Sequence, residues 1–362
     1  MQLLTRELNL NKIKKEKKIS SSIFRKRWNK FKNLKRGYYS FIIIFSLYII
    51  SFVLPVFIGR DALIVKYNGE YFFPVFKIHL ASEFNQDTHG EANYRLLKKQ
   101  FEAENSENDV ILPLYPYGPN ENLLDETEGS PPHSPSLKHI LGTDESARDV
   151  FSRLAYGFNI SISFALAVAL ISYLIGTVIG AVLGFFGGWI DTIFQRIIEI
   201  WSTLPFLFFI IIISSLIVPN FLLLIIILAL FDWMLITYYI RGEFYREKSR
   251  DYVMASVAMG ASNFKIIFKH ILPNSLNPII SFLPFAIVGN ISALVALDFL
   301  GFGLPPPTPS WGQLIQQGME NISNWWLVAF PLGSQFITLI LIVFIGEAAR
   351  EAFDPKFYSR LR

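Results

Sequence analysis

Few residues in this chain have types and spacing suited to chemistry. Asp232 is the only charged residue between positions 204 and 240. A lone acid in such an apolar run can serve as a polar site for a proton, an ion or a cargo group. It also stands about two turns before the basic stretch that opens at Arg241, which leaves an interfacial reading open. Asp144, Arg148 and Asp149 cluster in LGTDESARD. They are candidates for acid–base work, set against the plainer reading of paired charges near a helix start. The five histidines (His79, His89, His133, His139 and His270) lack metal-ligand spacing. Cysteine is absent, so thiol, disulfide and cysteine-based metal chemistry are excluded. The chain holds no GxxxxGK phosphate loop, no HExxH and no GxSxG. No catalytic site, metal or cofactor is therefore expected, and any energy input must come from a partner.

The composition says what kind of element holds these residues. Of 362 residues, 52% are hydrophobic and 17% charged, and the mean hydropathy is +0.38. Those values point to several membrane spans. Residues 1–36 carry thirteen Lys/Arg against two Glu. A nucleic-acid arm would look similar, but a basic tail beside a span is the ordinary product of the positive-inside rule, with Trp28 and Phe31 able to rest on lipid headgroups. Residues 38–59 are uncharged and long enough to cross a roughly 30 Å hydrocarbon core as a retained first span. From 60 to 149, acidic residues outnumber basic ones about two to one, which places this insertion outside the cytoplasm. Within it, Asn68-Gly69 between β-prone runs predicts a hairpin, and 112–136 reads as irregular loop. Thr143 is expected to cap a helix that starts near Asp144 and leads into a span at 158–186. Gly176, Gly180 and Gly184 form a small-residue stripe, equally suited to packing within the chain or to an interface. Further spans are expected up to Val218, over 221–240, over 275–299 and over 327–346. Pro284 and Gly289-Asn290 are read as breaks in the fifth span, which places Pro284, Gly289, Asn290 and Ser292 on a cavity.

The most structured polar segment is 251–274, DYVMASVAMGASNFKIIFKHILPN. It lies between apolar runs and beside Arg241, Arg246, Lys248 and Arg250, hence on the cytoplasmic side. Gly260 can take the left-handed conformation that ends one helix. Ser262 can cap a second, Lys269 and His270 suit its last turn, and Pro273 stops it. The reading is a helix–turn–helix elbow at a membrane surface, built as a docking device.

At the elbow the sequence resembles the inner-membrane permease subunits of ATP-binding-cassette importers. Met254-Ala255-Ser256 occupies the EAA position of their cytoplasmic loop, Gly260 is its glycine, and His270-Ile271-Leu272-Pro273-Asn274 closes it. Met254 replaces the signature glutamate and Ser256 the second alanine. LGTDESARDVFSRLAYG (141–157), GGWIDTIFQRIIEIWSTLP (187–205), LDFLGFGLPPPTPSWG (297–312) and EAAREAFDP (347–355) narrow the resemblance to the second permease of dipeptide and oligopeptide importers. In the first motif the family has glycine where Ala147 stands. The insertion with YNGEYFFPVF is most similar to permeases of the microcin C type.

This resemblance implies a peptide-importing permease that pairs with a sibling permease, two ATPase subunits and an external binding protein. Span count and charge asymmetry predict six transmembrane helices in an all-α membrane protein, both termini cytoplasmic, with a small extracytoplasmic hairpin-and-loop insertion after the first span. The expected organisation is a tail 1–37, a first span 38–59, an insertion 60–150, a five-span core 151–350 containing the coupling loop 241–274, and a tail 351–362. Tyr252, Ala255, Ser256, Gly260, Ala261 and Pro273 are the expected ATPase-coupling residues. Partners are those subunits and membrane lipid, with no nucleic acid. A self-contained channel or membrane scaffold without an ATPase is the alternative from another class.

Overall fold

The computed structural model describes residues 23–353, apart from 88, 89, 105, 106, 125, 127 and 128. Most of the basic tail, His89 and the chain end from 354 lie outside the described residues. Among the described residues, four helices are long and apolar enough to cross a membrane: Val150–Phe186, Phe221–Lys248, Asn277–Phe299 and Trp326–Phe353. A bent helix pair makes a fifth candidate when taken as one span. Gly188–Ser202 and Phe206–Leu216 meet at 70°, around Pro205, which has no N–H to continue the first helix. Lys35–Ser51 adds a helix of 17 residues, about 26 Å long. It is followed by the short turn Leu54–Phe57 with Pro55 in its first turn. The uncharged run 38–59 is thus a helix and a separate turn, rather than one rod.

The long pair Val150–Phe186 and Phe221–Lys248 has the most extensive contact of any two elements. Its cause is the glycine stripe. A Cβ on Gly176, Gly180 or Gly184 would stand 2.5, 2.7 or 2.6 Å from the carbonyl oxygens of Trp233, Thr237 and Arg241. Two i, i+4 ladders therefore interlock backbone to backbone. The Thr237 hydroxyl donates to Gly176 O across the seam at 3.2 Å. The stripe serves packing within the chain. Asn277–Phe299 lies against Val150–Phe186 and Trp326–Phe353, and Lys35–Ser51 lies along Trp326–Phe353, with Gly37 against Ala348.

Three expectations need correction. The first concerns the helix around 143–157. It starts at Val150 and not near Asp144, because Asp149, not Thr143, is the cap: its carboxylate accepts from Ser152 N at 2.8 Å. No separate interfacial helix precedes the span, and 150–186 runs unbroken for about 55 Å. The second concerns 275–299. Pro284 sits inside one continuous helix, Asn277–Phe299, which has no break at Gly289-Asn290. Neighbouring helices tolerate a proline in such a position. The third concerns the insertion, which is more ordered than a hairpin and loop. The strands Ile64–Tyr67 and Glu70–Phe72 form the expected hairpin, with Asn68 and Gly69 both at positive φ. A third strand, Asp109–Ile111, pairs on the other side of the first. The helix Tyr94–Glu104 covers the sheet, and Val65, Phe84, Leu97, Phe101 and Val110 make a small core of their own. The segment 301–326 likewise contains a helix, Trp311–Glu320.

Replacing Gly180 by leucine puts a bulky side chain where two backbones touch. The expected result is a loss of about 1–3 kcal/mol, read as a lowered thermal midpoint of the detergent-purified protein. Gly242→Leu, where an added Cβ meets nothing within 4 Å, is expected to leave the midpoint unchanged.

Candidate functional site

The elbow is built as its residues require. Asp251–Ala258 forms one short helix. Gly260 follows at φ +76, a conformation that a residue with a Cβ adopts only under strain. Ser262 caps the next turn, its hydroxyl accepting from Lys265 N. The chain then runs through Asn263–Lys265, a π-turn over Ile266–Ile271 and a 3-10 turn over Leu272–Asn274 that holds Pro273. Val253, Ile266, Ile267 and Ile271 are buried against Phe244 and Ile240 of the long helix above.

Tyr252 fastens the two halves together. Its hydroxyl donates to Glu247 Oε2 at 2.7 Å and accepts from Asn274 Nδ2 at 3.2 Å. Asn274 Nδ2 also donates to His270 O at 2.9 Å. Desolvation and the neighbouring Glu247 carboxylate push the phenol above its ordinary pKa, so it stays a donor. Ser256 is buried and returns its hydroxyl to Tyr252 O at 2.9 Å. Of the six coupling residues expected, Tyr252 and Ser256 therefore brace the elbow, and Ser256 is not presented to a partner. Ala255, Gly260 and Pro273 are exposed and Ala261 is half-buried. The outer face also carries Met254, Val257, Met259, Phe264 and Phe268, all exposed, with the two phenylalanine rings 4.5 Å apart. Hydrophobic residues this exposed beside Lys265 and Lys269 form a patch that a partner can cover. Their recurrence on both sides of Gly260 was the signal for this patch, and the sequence reading assigned Tyr252, Pro273 and the small residues instead.

Two contacts fix the end of Phe221–Lys248, from which the elbow leaves, to neighbouring helices. Arg241 meets Asp191 with two hydrogen bonds of 2.6 Å, and Tyr245 donates to the same carboxylate at 2.7 Å. Lys248 donates to Phe185 O at 2.5 Å, at the carbonyl end of Val150–Phe186, where the helix dipole favours a cation.

The cavity lies higher in the bundle. Its volume is about 420 Å³ and Asp232, Gly289 and Asn290 are on its wall. Tyr239 stacks on Phe282 at 4.2 Å between the two helices that frame it. Of the four pathway residues expected, Gly289 and Asn290 line it. Pro284 is buried against Gly346 instead, and the Ser292 hydroxyl returns to Val288 O of its own helix. At 100° per residue, the lining positions Phe282, Phe285, Gly289 and Ala293 share one face, and Pro284 falls on the opposite one. That periodicity sorts Gly289 from Pro284, but it places Ser292 nearer the face than Asn290, and only the packing separates those two. The aromatic lining residues Tyr173, Phe206 and Phe231 come from three different helices, and no local pattern links them.

In the DESARD cluster Asp144, Arg148 and Asp149 are all engaged in structural contacts. Asp144 is bound by Arg148, with Nε to Oδ2 at 2.8 Å. Asp149 Oδ2 accepts from Tyr115 at 2.6 Å and sits 2.9 Å from His139 Nδ1. Arg153, fully buried, donates to the carbonyls of Pro119 and Thr308. Trp311 Nε1 donates to Leu154 O and Trp326 Nε1 to Thr143 O. Asp298 accepts from Leu304 N and the Ser310 hydroxyl. The two motifs 141–157 and 297–312 thus brace each other at the end of the bundle opposite the elbow. Ala147 closes the tight turn there at φ +55.

A bundle of membrane-crossing helices with a rigid, partner-ready elbow and no phosphate-binding loop of its own defines the membrane subunit of a transporter driven from outside the chain. The chain belongs to the family of binding-protein-dependent transport system inner membrane components, whose pattern matches residues 176–358. It is 36% identical over 357 residues to the peptidoglycan transport system permease protein YejE of Agrobacterium fabrum, covering 92% of this chain and 93% of that one. It is 38% identical over 336 residues to the inner membrane ABC transporter permease protein YejE of Escherichia coli, covering 93% and 98%. It is 38% identical over 226 residues to the dipeptide transport system permease protein DppC of Bacillus subtilis, covering 61% and 70%. The chain is accordingly a multi-pass inner-membrane transport subunit and not an enzyme, with ATP hydrolysis on partner subunits. A self-contained channel or scaffold does not carry this membership.

Tyr252→Phe removes the phenol that joins Glu247 and Asn274. It is expected to loosen the elbow by about 1–3 kcal/mol, seen as faster hydrogen exchange confined to 251–274. Ala147→Gly relieves a left-handed conformation and is expected to raise unfolding free energy by about 0.5–1 kcal/mol, measured as a higher thermal midpoint.

Proposed function

We propose that this chain is one half of the translocation pathway of an ATP-driven importer of peptides or peptide-like compounds, coupled to its ATPase through the elbow 251–274. The exposed apolar face around Gly260 carries the reading. It is mounted on a piece tied to the end of Phe221–Lys248 by Tyr252 on Glu247, and that helix end is itself held by Arg241 on Asp191 and Lys248 on Phe185 O. Such a piece transmits a push as a rigid body, whereas a loose loop would absorb it. Ala255, Gly260, Ala261 and Pro273 lie on the contact, and Met254 replaces a charge there with an apolar contact. The basic residues nearby supply the charged ones. The named relatives transport peptidoglycan-type and dipeptide cargo, which supports a peptide substrate class.

The proposed topology has six spans. They are the four long helices, the bent pair and Lys35–Ser51. Following the chain direction supports both termini on the elbow side: Lys30 lies beside Glu351, and the insertion and the DESARD braces gather at the other end. The insertion 60–150 then lies outside the cytoplasm, beside the external binding protein. The core 151–350, with its coupling loop 241–274, pairs with a sibling permease. The tails 1–37 and 351–362 are cytoplasmic. Glycine 289 and Asn290 line the pathway of this half.

Ala255→Trp enlarges the contact face without touching the elbow's internal bonds. It is expected to reduce ATP-dependent peptide uptake at least tenfold, with the chain's membrane abundance unchanged and less ATPase co-purifying. Uptake and co-purification both at the wild-type level would refute coupling through this face.

A further inference from the structure

Asp232 and Asn290 do not have the surroundings of packing residues. Asp232 stands eleven residues into Phe221–Lys248, about 16 Å from its start, and about 13 Å before Arg241. In a hydrocarbon core of roughly 30 Å this is mid-depth. The interfacial reading of Asp232 is thereby displaced. Its carboxylate accepts from the Ser172 hydroxyl at 3.1 Å, and among the described residues no Lys, Arg or His faces it. Asp191, at the elbow end of the same helix pair, is by contrast neutralised by Arg241 with Tyr245 beside it.

Asn290 gives an independent observation. It is 5% exposed, yet its Nδ2 has no hydrogen bond of normal geometry. It lies on the same cavity wall as Asp232, beside that carboxylate. A buried amide left unmade costs stability unless a ligand or water completes it. Around the two polar groups the wall is aromatic, with Tyr173, Phe231, Tyr239 and Phe282. The carboxylate with no cation beside it and the ring faces describe a site for a positively charged nitrogen, and the free Asn290 N–H a donor for a carbonyl oxygen next to that nitrogen.

We propose that the Asp232–Asn290 cavity is a recognition station for an ammonium group on the cargo as it crosses the membrane. The inference rests on the peptide-importer reading for its ligand, where the ammonium is a peptide's α-amino group or a lysine side chain. Asp232 supplies the counter-charge, the aromatic walls shield it, and Asn290 Nδ2 donates to a carbonyl oxygen of the cargo beside the ammonium. Passing cations are favoured here over neutral or acidic cargo, and the open, single-charge site lets them leave again.

Two measurements test it. The native chain has no cysteine, and an added Cβ at Gly289 meets nothing within 4 Å, so Gly289→Cys places a thiol on the wall. In the assembled transporter, a trimethylammonium-ethyl methanethiosulfonate is expected to label this thiol at least tenfold faster than the sulfonato-ethyl reagent, each rate divided by its rate with a small free thiol. Adding Asp232→Asn is expected to abolish the preference. Equal rates, a preference that survives Asp232→Asn, or no labelling would overturn the station. The second measurement is uptake of trialanine, its Nα-acetyl form and Nα-acetyl-Ala-Lys-Ala by cells whose own copy is replaced with Asp232→Asn. Loss of at least tenfold confined to trialanine assigns the α-amino group. Equal loss for trialanine and the lysine peptide, sparing acetyl-trialanine, assigns any ammonium. Asp232→Glu is expected to keep wild-type uptake of both. Equal loss for all three peptides, or no loss, overturns the proposal. Should the wild type import none of them, the peptide reading falls, and the labelling rates alone decide the charge preference of the cavity.

Discussion

The close approach of Val150–Phe186 to Phe221–Lys248 is the constraint on which the rest of the molecule depends. In lipid there is no hydrophobic force to press two helices together, so close van der Waals contact and hydrogen bonds across the seam must do it. Three glycines allow the backbones to touch at Trp233, Thr237 and Arg241. That seam fixes the rotation of the second helix. Its rotation in turn aims Asp232 into the cavity and Arg241 at Asp191, and it points the helix end toward the elbow. A bulkier stripe would shift all three at once, because they are carried on one rigid rod.

The two ends of the bundle are stiffened by different means. At the insertion end, buried charges and indole N–H groups satisfy loop carbonyls from distant parts of the chain, with Arg153 and the two tryptophans as the main donors. Removing one member there strands a buried polar group, and the penalty exceeds the worth of the bond itself. At the elbow end, one phenol and one lysine do the tying, and the outer face is left apolar and open. The contrast fits a subunit that holds still on one side and is moved on the other.

The insertion is a separate small body in energetic terms. Its sheet and covering helix enclose their own core, and Arg95 binds Glu121 and Glu126 at 2.6 and 2.7 Å to pin the following loop. It meets the bundle through hydrogen bonds such as Tyr156 to Ile58 O and Ser152 to Tyr117 O. The irregular run after the third strand is thus ordered by long-range partners, which is why local composition reads it as loop.

Local chemistry made part of this legible in the sequence. Asn68-Gly69 specified its turn because both residues tolerate positive φ. Gly260 and Ser262 specified the elbow for the same kind of local reason, and apolar runs specified the spanning helices. The sequence also excluded chemistry by what it lacks. Tertiary structure decided the rest. Thr143 and Asp149 are both good caps by type, and only the packing of Tyr115 and His139 on Asp149 selects the second. Pro284 reads as a break until neighbouring helices support it. The glycine stripe fits any close partner, and the fold selects Phe221–Lys248. Asp232 reads as interfacial sooner than functional in one dimension, because it stands about two turns from a basic stretch. Its solitude, and the unpaired amide of Asn290 beside it, exist only where residues 58 positions apart in the chain share one wall.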